Sequence, residues 1–269
     1  MPMKIRFPIM ARLLCLCTAL AGDLSFPQHM LAAEGDVPPQ LSPPHERIIL
    51  VGDSTVASGS GWGNAFAKLL APGVECRNLA IKGRSSKSYR DEGHWQKVLD
   101  AKPTWVLIQF GHNDQPGKGP KLETDAKTTF RENLAHYIAD VRSIGAKPVL
   151  VTSLTRRNFN AQGRIDPTHL ESSTDSQGAK IPDHLNDYVE ATRAVAAEQK
   201  VPLIDLNARS IELLNQLGPK ASESFDAKAK DPSTPDKTHL SAKGAAETAE
   251  LVAEEIRKST PALAKLLKP

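Results

Sequence analysis

Five short apolar runs, separated by longer amphipathic stretches, set the outer limits on what this chain can fold into. The runs are 48–51, 74–81, 105–110, 148–152 and 202–206, each shorter than an ordinary helix and bounded by polar or turn residues. Between them, apolar residues recur at helical spacing. Trp62, Phe66, Leu69 and Leu70 make one such face, and Phe130, Leu134, Tyr137, Ile138 and Val141 make another. The stretches 188–199 and 245–256 continue the series. Alternating strand and helix patterns predict an α/β fold, with a central parallel five-stranded sheet and helices on both of its faces. There is no internal repeat. The segment 158–181 lacks periodicity and is rich in Gly, Ser, Thr and Asp, which reads as a long surface loop near the functional edge. A second polar stretch, 221–238, leads into Asp236 and His239.

In a parallel sheet all the carboxyl ends of the strands lie on one edge, where open α/β folds build their ligand crevices. The chemically capable residues of this chain follow those ends. Gly52-Asp53-Ser54-Thr55 follows the first run, Gly83 the second, Gly111-His112-Asn113-Asp114 the third, and Arg156-Arg157 the fourth. Asp236-Lys237-Thr238-His239 comes beyond the fifth, in the loop before the last helix. A serine hydroxyl, an imidazole, a carboxylate to orient it and an amide donor are the parts of an acyl-transfer site. Not every polar group here needs that reading. His112 is expected to hold its loop by a structural hydrogen bond. Asp53 and Asp114 are expected to be turn groups or supports behind the site, since Asp side chains readily cap local backbone. Trp62 and Trp105 read as core, and Trp95 as half-buried on a helix.

The amino terminus belongs to a different category. Lys4, Arg6 and Arg12 form a basic region, and 13–21 is an apolar stretch too short to span a bilayer. Small residues follow, so 1–33 is expected to be a secretory signal peptide. Residues 34–44, with Pro38, Pro39, Pro43 and Pro44, read as an extended linker, and 45–269 as the catalytic domain. Loss of 1–33 removes three basic residues and one acid, taking the net charge from +3 to +1. No general electrostatic case for nucleic acid remains, and no stable membrane insertion is expected once the signal is gone. Cys76 would then be the last cysteine, so no internal disulfide is available, and its strand-like surroundings suggest an inert thiol.

The four blocks Gly52-Asp53-Ser54, Gly83, Gly111-x-Asn113 and Asp236-x-x-His239 together resemble the SGNH (GDSL-like) hydrolases, in order and in spacing. Thr55 stands where most members carry leucine, as in the rhamnogalacturonan acetylesterases of that family. Gly61-Trp62-Gly63, Gly83-Arg84-Ser85-Ser86-Lys87-Ser88-Tyr89, Glu92-Gly93 and Arg156-Arg157-x-Phe159 are similar to that group as well. The resemblance runs from about Arg47 to about Ile256. It implies a flavodoxin-like three-layer α/β/α fold and an esterase that needs no cofactor or metal. It also implies Ser54 as nucleophile, His239 as base and Asp236 as the orienting acid. The oxyanion hole would combine the backbone N–H groups of Ser54 and Gly83 with the side-chain amide of Asn113.

The implied substrate is an acetylated polysaccharide or oligosaccharide, foremost rhamnogalacturonan. An acetylxylan or another carbohydrate or lipid ester stays open, as does a carbohydrate-binding protein without catalysis. Few aromatic residues, 5% of the chain, favour a polar crevice over a lipid groove. Arg84, Arg156 and Arg157 are either solvated surface charges or ligands for the carboxylates of galacturonate units.

Overall fold

The computed structural model describes residues 46–168, 173–174, 179–228 and 235–269. The expected signal peptide and linker therefore lie outside the described residues. Five strands form one parallel sheet: β1 (Arg47–Gly52), β2 (Glu75–Asn78), β3 (Trp105–Gln109), β4 (Lys147–Val151) and, after a two-residue ribbon of β5 (Ser173–Thr174) and β6 (Lys180–Ile181), β7 (Leu203–Ile204). Their order across the sheet is β2-β1-β3-β4-β7, and every pairing is parallel. This is the flavodoxin-like order, which reverses direction between β1 and β3.

Three strands sit in the middle of the sheet and are buried on both faces, so their inner residues, 48–51, 105–108 and 148–151, are apolar. The period of two then sorts them. Ile48, Leu50, Trp105, Leu107, Val149 and Val151 point to one side, and Ile49, Val51, Val106, Ile108 and Leu150 to the other. The first side packs under α1 (Gly63–Phe66), with Phe66, and under α7 (Ala242–Ser259), with Val252 and Ile256. The second packs under α3 (His94–Asp100), α4 (Thr129–Ser143) and α5 (Leu185–Gln199). In α4 the buried residues are Phe130, Leu134, Tyr137, Ile138 and Val141, one face of a 3.6-residue period. The result is a three-layer α/β/α sandwich. Short helices α2 (Ser88–Asp91) and α8 (Pro261–Ala264) and the longer α6 (Leu206–Ser222) complete it. No helix among the described residues is long and apolar enough to cross a membrane.

Several elements differ from the sequence expectations. The second run is a strand only over Glu75–Asn78, although Leu79 and Ile81 still donate to the carbonyls of Leu50 and Gly52, so the chain stays bonded to β1 after regular geometry ends. Cys76 lies on this edge strand and is only partly buried; burial and neighbouring Glu75 push its thiol up to about 12. Trp95 is not half-buried: it is 5% exposed, because its ring meets Tyr137 edge-on and its N–H donates to Asp140. Asp236 and His239 lie on a strand rather than in a loop. The pair β8 (Asp226–Ala227) and β9 (Asp236–Leu240) is antiparallel and sits outside the main sheet.

Candidate active site

The turn after β1 is built around close contact. A Cβ on Gly52 would stand 2.5 Å from the carbonyl oxygen of Gln109 and 2.8 Å from Val56 Cγ2, so only glycine lets β1 end against β3. Past it, Val56 and Ala57 donate back to the carbonyl of Asp53, folding a tight turn that presents Ser54. Below the turn runs a chain of buried polar groups. Trp62 Nε1 donates to Gln109 Oε1, Gln109 Nε2 donates to Thr55 Oγ1, and Thr55 Oγ1 donates to Asp53 Oδ1. Asp53 Oδ1 also accepts from the Thr55 amide at 2.8 Å, the local capping expected of it. Thr55 thus links the turn to β3, a task leucine could not perform.

Strand β9 brings the other partners. His239 Nε2 is 2.8 Å from Ser54 Oγ, and His239 Nδ1 is 2.8 Å from Asp236 Oδ2. Asp236 Oδ1 accepts from the amides of Thr238 and His239 at 3.1 and 2.9 Å. Burial pushes this carboxylate up, but the hydrogen bonds from His239 and Thr238 outweigh that and hold it well below the usual range. The strand is fastened to the nucleophile turn through Ser60, whose carbonyl accepts from Leu240 N and whose hydroxyl donates to Ser54 O. Residues 185 positions apart in the chain are held in direct contact.

The loops after β2 and β3 stand beside Ser54, at the point where the sheet order reverses. Gly83 has φ +73°, a left-handed conformation that favours glycine. Asn113 Nδ2 donates to Arg84 O at 3.0 Å, using one of the two amide protons and leaving the second for a ligand. The loops are joined by Asp114, which is fully buried. Its carboxylate accepts from Ser86 N, Ser86 Oγ, Gly111 N and Thr124 Oγ1. Burial raises Asp114 to about 7 against the opposing hydrogen bonds from Ser86. His112 donates from Nε2 to Leu154 O at 2.9 Å, and burial followed by the charge of Arg156 keeps its ring neutral.

A raised acid binds more protons folded than unfolded, so its contribution to stability falls as pH rises from about 4 to about 7. Asp114→Asn is therefore expected to destabilise most near pH 4 and least above pH 7, read from denaturant unfolding across that range. A penalty that stays constant or grows with pH would contradict the assignment.

The arginines depart from the sequence expectation. Arg157 is neither solvated nor presented to a ligand: it is 2% exposed, paired with Asp226, and its guanidinium donates to the carbonyls of Asp236 and His239. Its own amide donates to Lys237 O. The side chain therefore clamps the strand that carries the imidazole. Arg156 is likewise buried, against Asp183. Arg84 alone is open to solvent, and it forms an exposed ion pair with Glu92 at 2.8 Å. Arg157→Gln removes the ion-pair partner of Asp226 and is expected to cost about 3–5 kcal/mol of stability, measured as the shift in denaturation midpoint. Unchanged stability would show that the clamp is dispensable.

A serine, imidazole and carboxylate in series at the strand-end edge of a flavodoxin-like sheet match an ester hydrolase of SGNH type. Residues 50–247 match the GDSL-like lipase/acylhydrolase family, and the chain belongs to it. Rhamnogalacturonan acetylesterase RhgT of Bacillus subtilis (strain 168) is 37% identical over 226 residues, covering 78% of this chain and 89% of that protein. A probable rhamnogalacturonan acetylesterase of the same organism, YesY, is 33% identical over 78% of this chain and 92% of its own length. Among solved structures, the acetylxylan esterase Axe2 from Geobacillus stearothermophilus superposes with a TM-score of 0.55 at 19% identity, covering 78% of this chain and 94% of that one, a likeness of fold. The protein is a carboxylic ester hydrolase.

Proposed function

We propose that the protein is an exported serine esterase that removes acetyl groups from rhamnogalacturonan through an acyl-enzyme. The observation that carries the chemistry is the unbroken hydrogen-bond series from Ser54 through His239 to Asp236. His239 Nε2 takes the hydroxyl proton as Ser54 Oγ attacks the acetyl carbonyl carbon. The carbonyl π pair moves to oxygen, and the resulting oxyanion is held by the N–H groups of Ser54 and Gly83 and the free amide proton of Asn113. The intermediate collapses, the C–O bond to the sugar breaks, and His239 protonates the leaving oxygen. Water then attacks the acetyl-serine by the same steps in reverse roles, releasing acetate and restoring Ser54.

The substrate reading is supported by two rhamnogalacturonan acetylesterase relatives, each matched over more than three quarters of this chain. Export is supported by the basic and apolar sequence pattern of 1–33. The test is acetate release from acetylated rhamnogalacturonan, xylan and chitin oligomers at matched ester concentration. A kcat/KM at least about tenfold higher on rhamnogalacturonan is expected. Equal or faster release from xylan would overturn the substrate reading and keep the esterase.

A further inference from the structure

Immediately beside the catalytic strand lies a cleft of about 730 Å³. Its wall carries Lys237, which sits between Asp236 and His239 on β9, together with Lys228, Phe159 and Asn160. Neighbouring strand residues are about 3.3 Å apart along the chain, so Lys237 is rooted within two residues of the imidazole. Arg157, which floors the cleft, donates to the carbonyls of Asp236 and His239, so cleft and triad share one support.

The charges of the cleft divide cleanly. Arg157 and Asp226 neutralise each other, and Glu223 is paired with Lys220 at 2.8 Å. Lys228 and Lys237 remain, both exposed and without an ion-pair partner among the described residues. Two uncommitted ammonium groups, the half-buried aromatic ring of Phe159 and the amide of Asn160 thus face one open space. A ring offers an apolar surface to the C–H face of a sugar, an amide matches hydroxyls, and flexible ammonium groups attract a carboxylate as point charges.

We propose that this cleft is the subsite for a carboxylate-bearing sugar, a uronate unit flanking the acetylated residue, with Lys237 and Lys228 binding its carboxylate. The proposal rests on the esterase reading of the neighbouring triad and deepens the substrate reading. It moves acid recognition from Arg156 and Arg157, which are turned inward, to two lysines.

The test has a kinetic and a binding arm. Lys237→Gln and Lys228→Gln, alone and together, are assayed on acetylated rhamnogalacturonan oligomers, on neutral acetylated xylo-oligomers and on a small aryl acetate. Each single change is expected to raise KM on the acidic oligomer by about 5- to 10-fold. kcat should hold, and the aryl acetate should be hydrolysed as before. Added salt should raise the parent's KM on the acidic oligomer and affect the double variant much less. Equal losses on acidic and neutral substrates, or no loss in the double variant, would overturn the subsite. In the binding arm, deacetylated galacturonate-containing oligomers are titrated into Ser54→Ala protein with and without the lysine changes. Binding weakened by the lysine changes supports the subsite whether or not the parent prefers that polymer as an ester. Absence of binding, or binding indifferent to both lysines, overturns it. Preference for xylan in the acetate-release assay would instead count against the substrate reading alone.

Discussion

Ser54→Ala is expected to lower kcat for acetate release on the order of 10⁶-fold, the scale seen when a triad serine is removed, while the protein unfolds at nearly the parental temperature. The hydroxyl makes one side-chain hydrogen bond, to His239 Nε2. The Ser54 carbonyl would still accept from Ser60, and the Asp53 carbonyl would still close the turn. Loss of Oγ therefore removes the atom proposed to form the acyl bond and little of the packing, a stability change within about 1 kcal/mol. Any residual rate would come from the oxyanion donors, which the substitution leaves in place. Acetate release measured beside thermal unfolding separates the two effects. Turnover close to that of the parent would show that another group is the nucleophile.

Asp236→Asn should reduce kcat by about 10⁴-fold for a reason visible in the hydrogen bonds. Asp236 Oδ1 accepts two amides, and an asparagine oxygen could keep them. Oδ2 accepts the Nδ1 proton of His239, and an amide nitrogen there would donate instead. The imidazole would switch tautomer and point an N–H at Ser54, unable to take its proton. The pH dependence follows from the same contacts. Asp236 is held well below the ordinary carboxylate range, so it stays ionised through neutral and mildly acidic pH. Its depressed value contributes stability that is present above the unfolded carboxylate range, about pH 4, and is lost as pH falls through the lower folded value. Protonation of Asp236 should then contribute nothing to any acid-side fall in kcat/KM above that range. A variant with near-parental turnover would move the orienting role to another acid.

The legible elements were those whose environment repeats along the chain. β1, β3 and β4 are buried on both faces, so each carries an apolar run of four residues, 48–51, 105–108 and 148–151, that marks its position. α4 and α7 carry one apolar stripe each and were equally plain. β7 shrinks to Leu203–Ile204 at the sheet margin, where pairing on one side alone leaves little to enforce strand geometry. α6 escaped the periodic reading because Gly218, with φ 75°, and Pro219 interrupt the run before its end. The ribbon of β8 and β9 depends on the pairing of Asp226 and Ala227 with Leu240 and Asp236, and no local pattern announces it.

The site divides in the same way. Ser54 was legible because it follows a strand end of the parallel sheet, and Asp236 and His239 because a carboxylate and an imidazole three residues apart are a local signal; that the three meet is what the fold adds. Asn113 and Gly83 followed from resemblance and from their place after strands. The duties of Arg157 were not readable, since an exposed and a buried arginine look alike in sequence. Its partner Asp226 is 69 residues away. Lys237 had no signal of its own beyond lying inside the Asp-His block.

By itself, the amino-acid order determined the class of fold, the edge of the sheet where polar groups would gather, and which serine, histidine and aspartate stand out as candidates there. Those properties depend on side-chain period and on strand direction, both local. Tertiary structure alone decided which cations are buried in ion pairs and which are left open. Burial and pairing fix a charge's role, and both are set by residues distant in the chain. Arg156 and Arg157 met Asp183 and Asp226 and became supports, whereas Lys228 and Lys237 met no partner among the described residues and stayed open to the cleft.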